Sequence, residues 1–317
     1  MDLQLRMKTA FLFPGQGSQF TGMGKSLAEN FPAARRRFEQ ADDALGFTIS
    51  RLCFEGPDEE LRRTENTQPA LLAVSIAACD VLRDEIGEPD YVAGHSLGEY
   101  SALVAAGALD FADALRLVRK RGQYMQEAVP DGTGAMAALL KLPENTLDRI
   151  LAEGARSEVV TAANLNSADQ VVIAGHRAAV LRTMDLAKGA GARRVVELSV
   201  SAPFHCPLMI PAQQRLKLDL DRVPFSDLRF PLVNNWQARE IRTATEAREG
   251  LYQQIPNPVR WAESIERMAA LGVTRWFESG AGVVLSGLLR TIVTGARSTP
   301  FGEAKDLDKL RPERSPA

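Results

Sequence analysis

Apolar and polar positions alternate in two rhythms along this chain, one of short apolar runs and one of helical spacing. Thr9–Phe13 is a short, largely apolar run halted by Pro14, the pattern of a buried strand, and the glycine-rich loop Gly15-Gln16-Gly17-Ser18-Gln19 follows it. A helical region spans about Pro32–Leu45, and Gln68–Ile86 is apolar at helical spacing. Tyr91–Gly94 is a second short strand. Leu97–Ala106 is a helix stopped by Gly107, and Phe111–Ala128 a helix that ends before Pro130. Strands alternating with helices predict a mostly parallel α/β core.

After Pro130-Asp131-Gly132 the rhythm changes. Ala135–Leu142 reads as a strand and Pro143–Ala152 as a helix with proline in its first turn. Val159–Ala163 and Gln170–Ala174 read as two strands, with Asn-Ser-Ala-Asp as the turn between them. Ala178–Ala190 is a helix closed by Gly191, and Arg194–Ser199 a last strand. The order β-α-β-β-α-β is the split unit of a ferredoxin-like fold. The expected organisation is a large α/β domain made of 1–131 and 201–301, with a ferredoxin-like subdomain inserted at 132–200. The charged, proline-bearing end, 302–317, reads as a flexible tail. Residues 1–6 read as a start-site extension.

Composition narrows the classes. Hydrophobic residues make up 45% and charged residues 25% of 317, an ordinary globular balance. A net charge of -2 gives no nucleic-acid footprint. No apolar run approaches the roughly 18 residues of a membrane span, and the N-terminal stretch, reaching Pro14 and Gly15 after only a short apolar run, does not read as a secretory signal. Three widely spaced cysteines, Cys53, Cys79 and Cys206, argue against a disulfide framework or a zinc site and for a reducing cytoplasm.

The chemistry begins at Gly94-His95-Ser96-Leu97-Gly98, which fits the G-x-S-x-G pattern of a serine on a strand-to-helix elbow. There Ser96 projects at a helix N-terminus, where free N–H groups favour negative charge, and the Leu97 N–H can donate to a tetrahedral oxyanion. A five-residue pattern also arises by chance, but a strand before it and a helix after it favour a nucleophile. A serine needs a base, and the chain has three histidines. His95 adjoins the nucleophile and should point away from it. His176 begins a helix and is by default a surface or capping residue. His205, in Ser-Ala-Pro-Phe-His-Cys-Pro, is left as the base by elimination, against the alternative of a loop histidine with no catalytic part. On Phe111–Ala128, Ala114, Val118, Arg121 and Met125 share one stripe, which places a guanidinium among apolar residues, where a charge is costly unless paired. On residues alone, a structural ion pair explains Arg121 as well as an anion site does. Arg116 and Lys120 lie nearer the polar face. A P-loop ending in Gly24-Lys25-Ser26 would need glycine where Gln19 stands, so the glycine-rich loop is not a nucleotide site.

The stretches FPGQGSQ, GHSLGEYSAL, RGQYMQEAVPDGTGAM, NLNSADQVVIAG, SAPFHCPLM, NPVRW and ESGAGVVLSGL stand in the order found in malonyl-CoA:acyl-carrier-protein transacylases, and the chain resembles that family from about Lys8 to Arg297. The resemblance implies a large domain akin to the α/β-hydrolase core, a ferredoxin-like subdomain, and an active site in the cleft between them. It implies that Ser96 is the nucleophile and His205 the base, and that the backbone N–H groups of Gln16 and Leu97 form the oxyanion hole. Arg121 would grip the free malonyl carboxylate, Gln254 would orient His205 through a carbonyl oxygen, and no acidic third member is expected. Asn164 and Asn166 would line the cleft, and Phe204 would crowd a branched methylmalonyl unit. The implied reaction moves malonyl from malonyl-CoA through a malonyl-serine to the phosphopantetheine thiol of an acyl carrier protein, for fatty acid synthesis. The alternatives are a freestanding polyketide synthase acyltransferase and a serine acyl hydrolase. No cofactor and no metal are implied, and a cytoplasmic monomer is expected, with no nucleic-acid or membrane partner.

Overall fold

In the computed structural model, which describes residues 7–200 and 202–310, the first apolar run is strand β1 (Lys8–Phe13), buried from Thr9 onward. Helices α1 (Lys25–Asn30), α2 (Pro32–Leu45), α3 (Ile49–Glu55), α4 (Asp58–Arg62) and α5 (Thr64–Ile86) follow. Then come β2 (Tyr91–Gly94), α6 (Gly98–Ala105) and α7 (Phe111–Glu127). β1 and β2 pair in parallel, and Phe13 lies beside Gly94 at their C-terminal ends. The glycine-rich loop after β1 and the elbow after β2 therefore leave the same sheet edge as neighbours. Ligands collect at that edge in open parallel sheets.

Helix α5 is buried almost all round because it is packed by α2, α6 and α7. It begins before the predicted Gln68. Its first turns are polar, and those residues are satisfied individually: Asn66 Nδ2 donates to Glu60 O at 2.9 Å, and Thr67 Oγ1 to Leu61 O at 2.5 Å. Apolar spacing carries no trace of such a turn.

The inserted unit holds β3 (Gly134–Leu140), α8 (Leu147–Ala155), β4 (Val160–Ser167), β5 (Gln170–His176), α9 (Arg177–Gly189) and β6 (Arg194–Glu197). Its antiparallel sheet has the order β4-β5-β3-β6, the order of a ferredoxin-like unit. Two expectations need correction here. Pro143 lies outside α8, because Asn145 turns the chain at φ 59° and the Thr146 hydroxyl donates to the Pro143 carbonyl. Asn166 and Ser167 belong to β4 rather than to a turn, which shrinks to Ala168-Asp169. β4 runs on because the large domain pairs with it. Leu165 N donates to Val259 O at 2.9 Å, and Val259 N to Ala163 O at 2.9 Å.

The chain then adds α10 (Ile210–Leu220), β7 (Leu232–Val233), β8 (Glu240–Ile241), α11 (Ala244–Gln254), α12 (Trp261–Ala270), β9 (Val273–Ser279), α13 (Val284–Ile292) and β10 (Ser298–Phe301). The large sheet has the order β10-β9-β1-β2-β7-β8, parallel except for β8. The expected tail is corrected in its first part. Residues 304–310 form a 3₁₀ helix, Ala304 N donates to Ser26 Oγ at 3.1 Å, and Asp306 is buried, accepting from Gly302 N at 3.0 Å. The remainder of that tail, and residues 1–6, lie outside the described residues. No described helix is long and apolar enough to cross a membrane.

Candidate active site

Ser96 sits between β2 and α6 at φ 51°, a left-handed conformation that costs a non-glycine residue about 1–3 kcal/mol. The flanking glycines let strand and helix meet there. A Cβ on Gly94 would stand 1.9 Å from the Gly98 carbonyl carbon, and one on Gly98 would stand 2.0 Å from Phe13 O. The strained peptide groups are gripped from outside the elbow. Asn235 Oδ1 accepts from Ser96 N at 2.7 Å, and Gln254 Nε2 donates to Ser96 O at 3.0 Å.

His205 reaches this serine from the segment before α10. Its Nε2 lies 2.7 Å from Ser96 Oγ and its Nδ1 lies 2.9 Å from the backbone carbonyl of Gln254. A carbonyl only accepts, so Nδ1 carries the proton and Nε2 is left to accept from the serine hydroxyl. Gln254 is the last residue of α11, where carbonyls lack helical partners and the helix dipole is negative. That end supplies an acceptor for the ring without a carboxylate. Burial, helped by the Arg121 charge, pushes the His205 pKa down to about 3, so the imidazole is neutral at neutral pH and its Nε2 lone pair is open to the serine hydroxyl.

Arg121 is 2% exposed on the inner face of α7. Its Nη1 donates to Gln68 Oε1 at 2.8 Å, and its Nη2 to Gln254 Oε1 at 2.9 Å and Ser96 Oγ at 3.2 Å. Its Nε has no partner among the described residues, and no carboxylate there lies within ion-pair distance of it. A structural ion pair therefore does not account for this arginine. A buried cation is held beside the serine by neutral oxygens, an arrangement suited to receiving an anion. Arg116 and Lys120 are paired outside, with Asp113 and Asp219.

Gln16 and Leu97 flank the elbow, Gln16 in the loop where a Cβ on Gly15 would stand 2.4 Å from the His95 carbonyl oxygen and Leu97 as the residue before α6. Neither N–H finds an acceptor among the described residues. His95 turns away from Ser96. Its Nε2 lies 2.8 Å from Asn166 Oδ1, across the cleft, and its ring meets Trp261 edge-on at 5.4 Å. Asn164 and Phe204 are both 8% exposed, Asn164 on β4 and Phe204 packed in the main core beside His205. His176 is not a side-chain cap of α9; its Nδ1 accepts from Val159 N at 2.9 Å.

Three residues of this cluster were not singled out from the sequence. Gln68 lies in the polar start of α5. Asn235 follows a strand too short to read. Glu99 follows the elbow directly, and an acidic residue in an otherwise apolar helix was a readable signal. It is fully buried, accepting from Gln254 Nε2 at 2.8 Å and from Asn235 N at 3.1 Å. Burial pushes its pKa up to about 7 against those hydrogen bonds and the Arg121 charge.

Residues 10–279 match the family model described as an acyl transferase domain. The chain is 46% identical over 295 residues to a malonyl CoA-acyl carrier protein transacylase of Escherichia coli K12, covering 93% of this chain and 96% of that protein. It is 49% identical over 289 residues to the Bacillus subtilis 168 transacylase of the same name, covering 90% of each. A solved malonyl-transacylase in complex with a type II polyketide acyl-carrier protein superposes with a TM-score of 0.93 at 45% identity, covering 96% of this chain and 98% of that one.

Proposed function

The chain belongs to the acyl transferase family of malonyl CoA-acyl carrier protein transacylases, and from that premise we propose how its own residues carry malonyl from coenzyme A to a carrier protein. Malonyl-CoA binds with its carboxylate on Arg121 and its thioester carbonyl at the Gln16 and Leu97 N–H groups. Asn164, Asn166 and Phe204 line the space around the acyl group, and Phe204 crowds a branched one. His205 Nε2 removes the Ser96 proton as Oγ attacks the carbonyl carbon. The C–S bond breaks, the imidazolium returns its proton to the leaving thiolate, and malonyl remains as an ester on Ser96. The phosphopantetheine thiol of the carrier then loses its proton to His205 and attacks that ester. Malonyl leaves as a carrier thioester, and Ser96 regains its proton. The protein acts as a monomer in the cytoplasm and its residues supply the whole of this chemistry without a cofactor.

One observation carries this reading: Ser96 Oγ stands 2.7 Å from His205 Nε2 and 3.2 Å from an Arg121 nitrogen. Nucleophile, base and a buried cation converge on one atom. A hydrolase of simple esters needs no such cation, whereas a malonyl donor brings the anion that it lacks. The relatives' shared name supports malonyl transfer to an acyl carrier protein, for which we take fatty acid synthesis as the pathway. One solved relative is bound to a type II polyketide acyl-carrier protein, which keeps a polyketide acyltransferase as the second reading. The test is intact-mass measurement after mixing with malonyl-CoA. Wild type is expected to gain one malonyl group and to lose it to an added holo carrier protein, and Ser96→Ala to gain none. Release as free malonate in the presence of carrier, or an adduct on Ser96→Ala, would contradict the reading.

A further inference from the structure

The strained elbow has an anchor that the reaction above does not use. We propose that Glu99 is a positioning residue for the nucleophile, its Oε2 fixing the Asn235 backbone N–H and the Gln254 side-chain amide, the two residues whose side chains hold both peptide groups of Ser96. The proposal rests on the reading of Ser96 as the nucleophile. Asn235 grips the Ser96 N–H, Gln254 grips the Ser96 carbonyl, and Glu99 Oε2 accepts a hydrogen bond from each of these two residues. Asn235 also donates to Gly94 O at 2.8 Å, so the strand end is tied to the same point.

Three elements distant in sequence meet at this oxygen: α6, the segment after β7, and the end of α11. The Gln254 amide has acceptors on its nitrogen side (Ser96 O, Glu99 Oε2 and Asn235 Oδ1) and the Arg121 donor on its oxygen side. Glu99 thereby sets the amide the right way round for both Ser96 and Arg121. Its other oxygen, Oε1, is buried without a partner, and α11 presents Gly250 toward it, where a Cβ would lie 3.6 Å away. One acceptor oxygen at the right reach therefore performs the whole task. Arg121 keeps its Gln68 contact independently, so loss of the Glu99 anchor should slow the attack by Ser96 more than it weakens malonyl binding.

Reach and charge can be separated. Glu99→Gln keeps an acceptor oxygen at full length and removes the charge, and its amide nitrogen takes the place of the unpartnered Oε1. Glu99→Asp keeps the charge and withdraws the oxygen by one methylene. Asn235→Ala removes one grip on Ser96 and leaves Glu99 in place. Single-turnover acylation of each folded variant by malonyl-CoA and by acetyl-CoA is followed by intact mass over a range of donor concentration. Glu99→Gln is expected to keep the saturating rate within about threefold of wild type, while Glu99→Asp and Asn235→Ala lose about 10²-fold with both donors. The half-saturating malonyl-CoA concentration is expected to move by less than about threefold in all of them. Glu99→Asp faster than Glu99→Gln would make Glu99 a countercharge for Arg121 and overturn the proposal. So would a wild-type rate in Asn235→Ala, or losses confined to half-saturation. If Glu99→Asp does not fold, Glu99→Gln and Asn235→Ala decide by the same criteria. Absence of an adduct on wild type would instead sink the reading of Ser96, which keeps the two failures distinct.

Discussion

At His205 two ring nitrogens face different partners, Nε2 the Ser96 hydroxyl and Nδ1 a backbone carbonyl, and it is that carbonyl rather than an acidic side chain that fixes which nitrogen carries the proton. The carbonyl that fixes the ring is that of Gln254, whose side chain is committed to Arg121, Ser96 and Glu99. Gln254→Ala should therefore leave the ring bond in place and disturb the malonyl end of the site. It is expected to slow malonyl acylation by about 10- to 10²-fold, more than acetyl acylation, against about 10²–10⁴-fold for both donors in His205→Ala. Saturating acylation rates with the two donors check this. Equal damage from the two variants, with the fold retained, would mean that the amide rather than the carbonyl orients the ring. Elimination among three histidines reached His205 from the sequence, and the apolar stripe flagged Arg121. Asn235 and Gln68 carried no local signal. Their importance comes from partners 139 and 53 residues away in the chain.

Helices and strands that bury one continuous apolar stretch were legible, and those built on polar satisfaction or on partners were not. β1, β2 and α7 follow their apolar patterns closely, since sheet and helix faces are buried by simple layering. β4 outruns its pattern because Val259 of the large domain supplies hydrogen bonds, and β7 and β8 are two residues each, shorter than any periodicity. The elbow was legible for a different reason, since its glycines are a steric requirement. Gly98→Ala would drive a methyl group into Phe13 O, and no rotamer can relieve a clash with backbone. The expected result is a loss of about 1–3 kcal/mol or more of stability, together with lost acylation, because β1 and α6 must separate at the nucleophile. Thermal melting and single-turnover acylation measure both effects. An unchanged melting temperature with wild-type acylation would show that the elbow yields without cost.

At the scale of the whole molecule, two sheets are joined along the cleft by Val259 against β4 and by His95 against Asn166, and the cluster of Ser96, His205 and Arg121 lies on the large-sheet side of that join. The alternation of strands and helices, followed by the β-α-β-β-α-β order, made both sheets readable, because layer architecture follows from element order. The docking of residues 304–310 was not readable, because a charged segment satisfied by Ser26 and by its own Asp306 looks in sequence like a solvated tail. The assembly holds the Arg121 guanidinium out of water beside Ser96, with no carboxylate of the described residues within ion-pair distance and Glu99 acting on it only at longer range. Arg121→Ala tests that arrangement most directly, through the specificity constants for malonyl-CoA and acetyl-CoA. Removing one partner of a desolvated charge pair costs about 2–5 kcal/mol, or roughly 30- to several-thousand-fold in malonyl transfer. Acetyl transfer should be spared or improve, and Arg121→Lys should recover little, since an ammonium keeps the charge and loses the planar fork. Equal losses for the two donors would make Arg121 a structural residue and contradict the assignment of malonyl as the group this site selects.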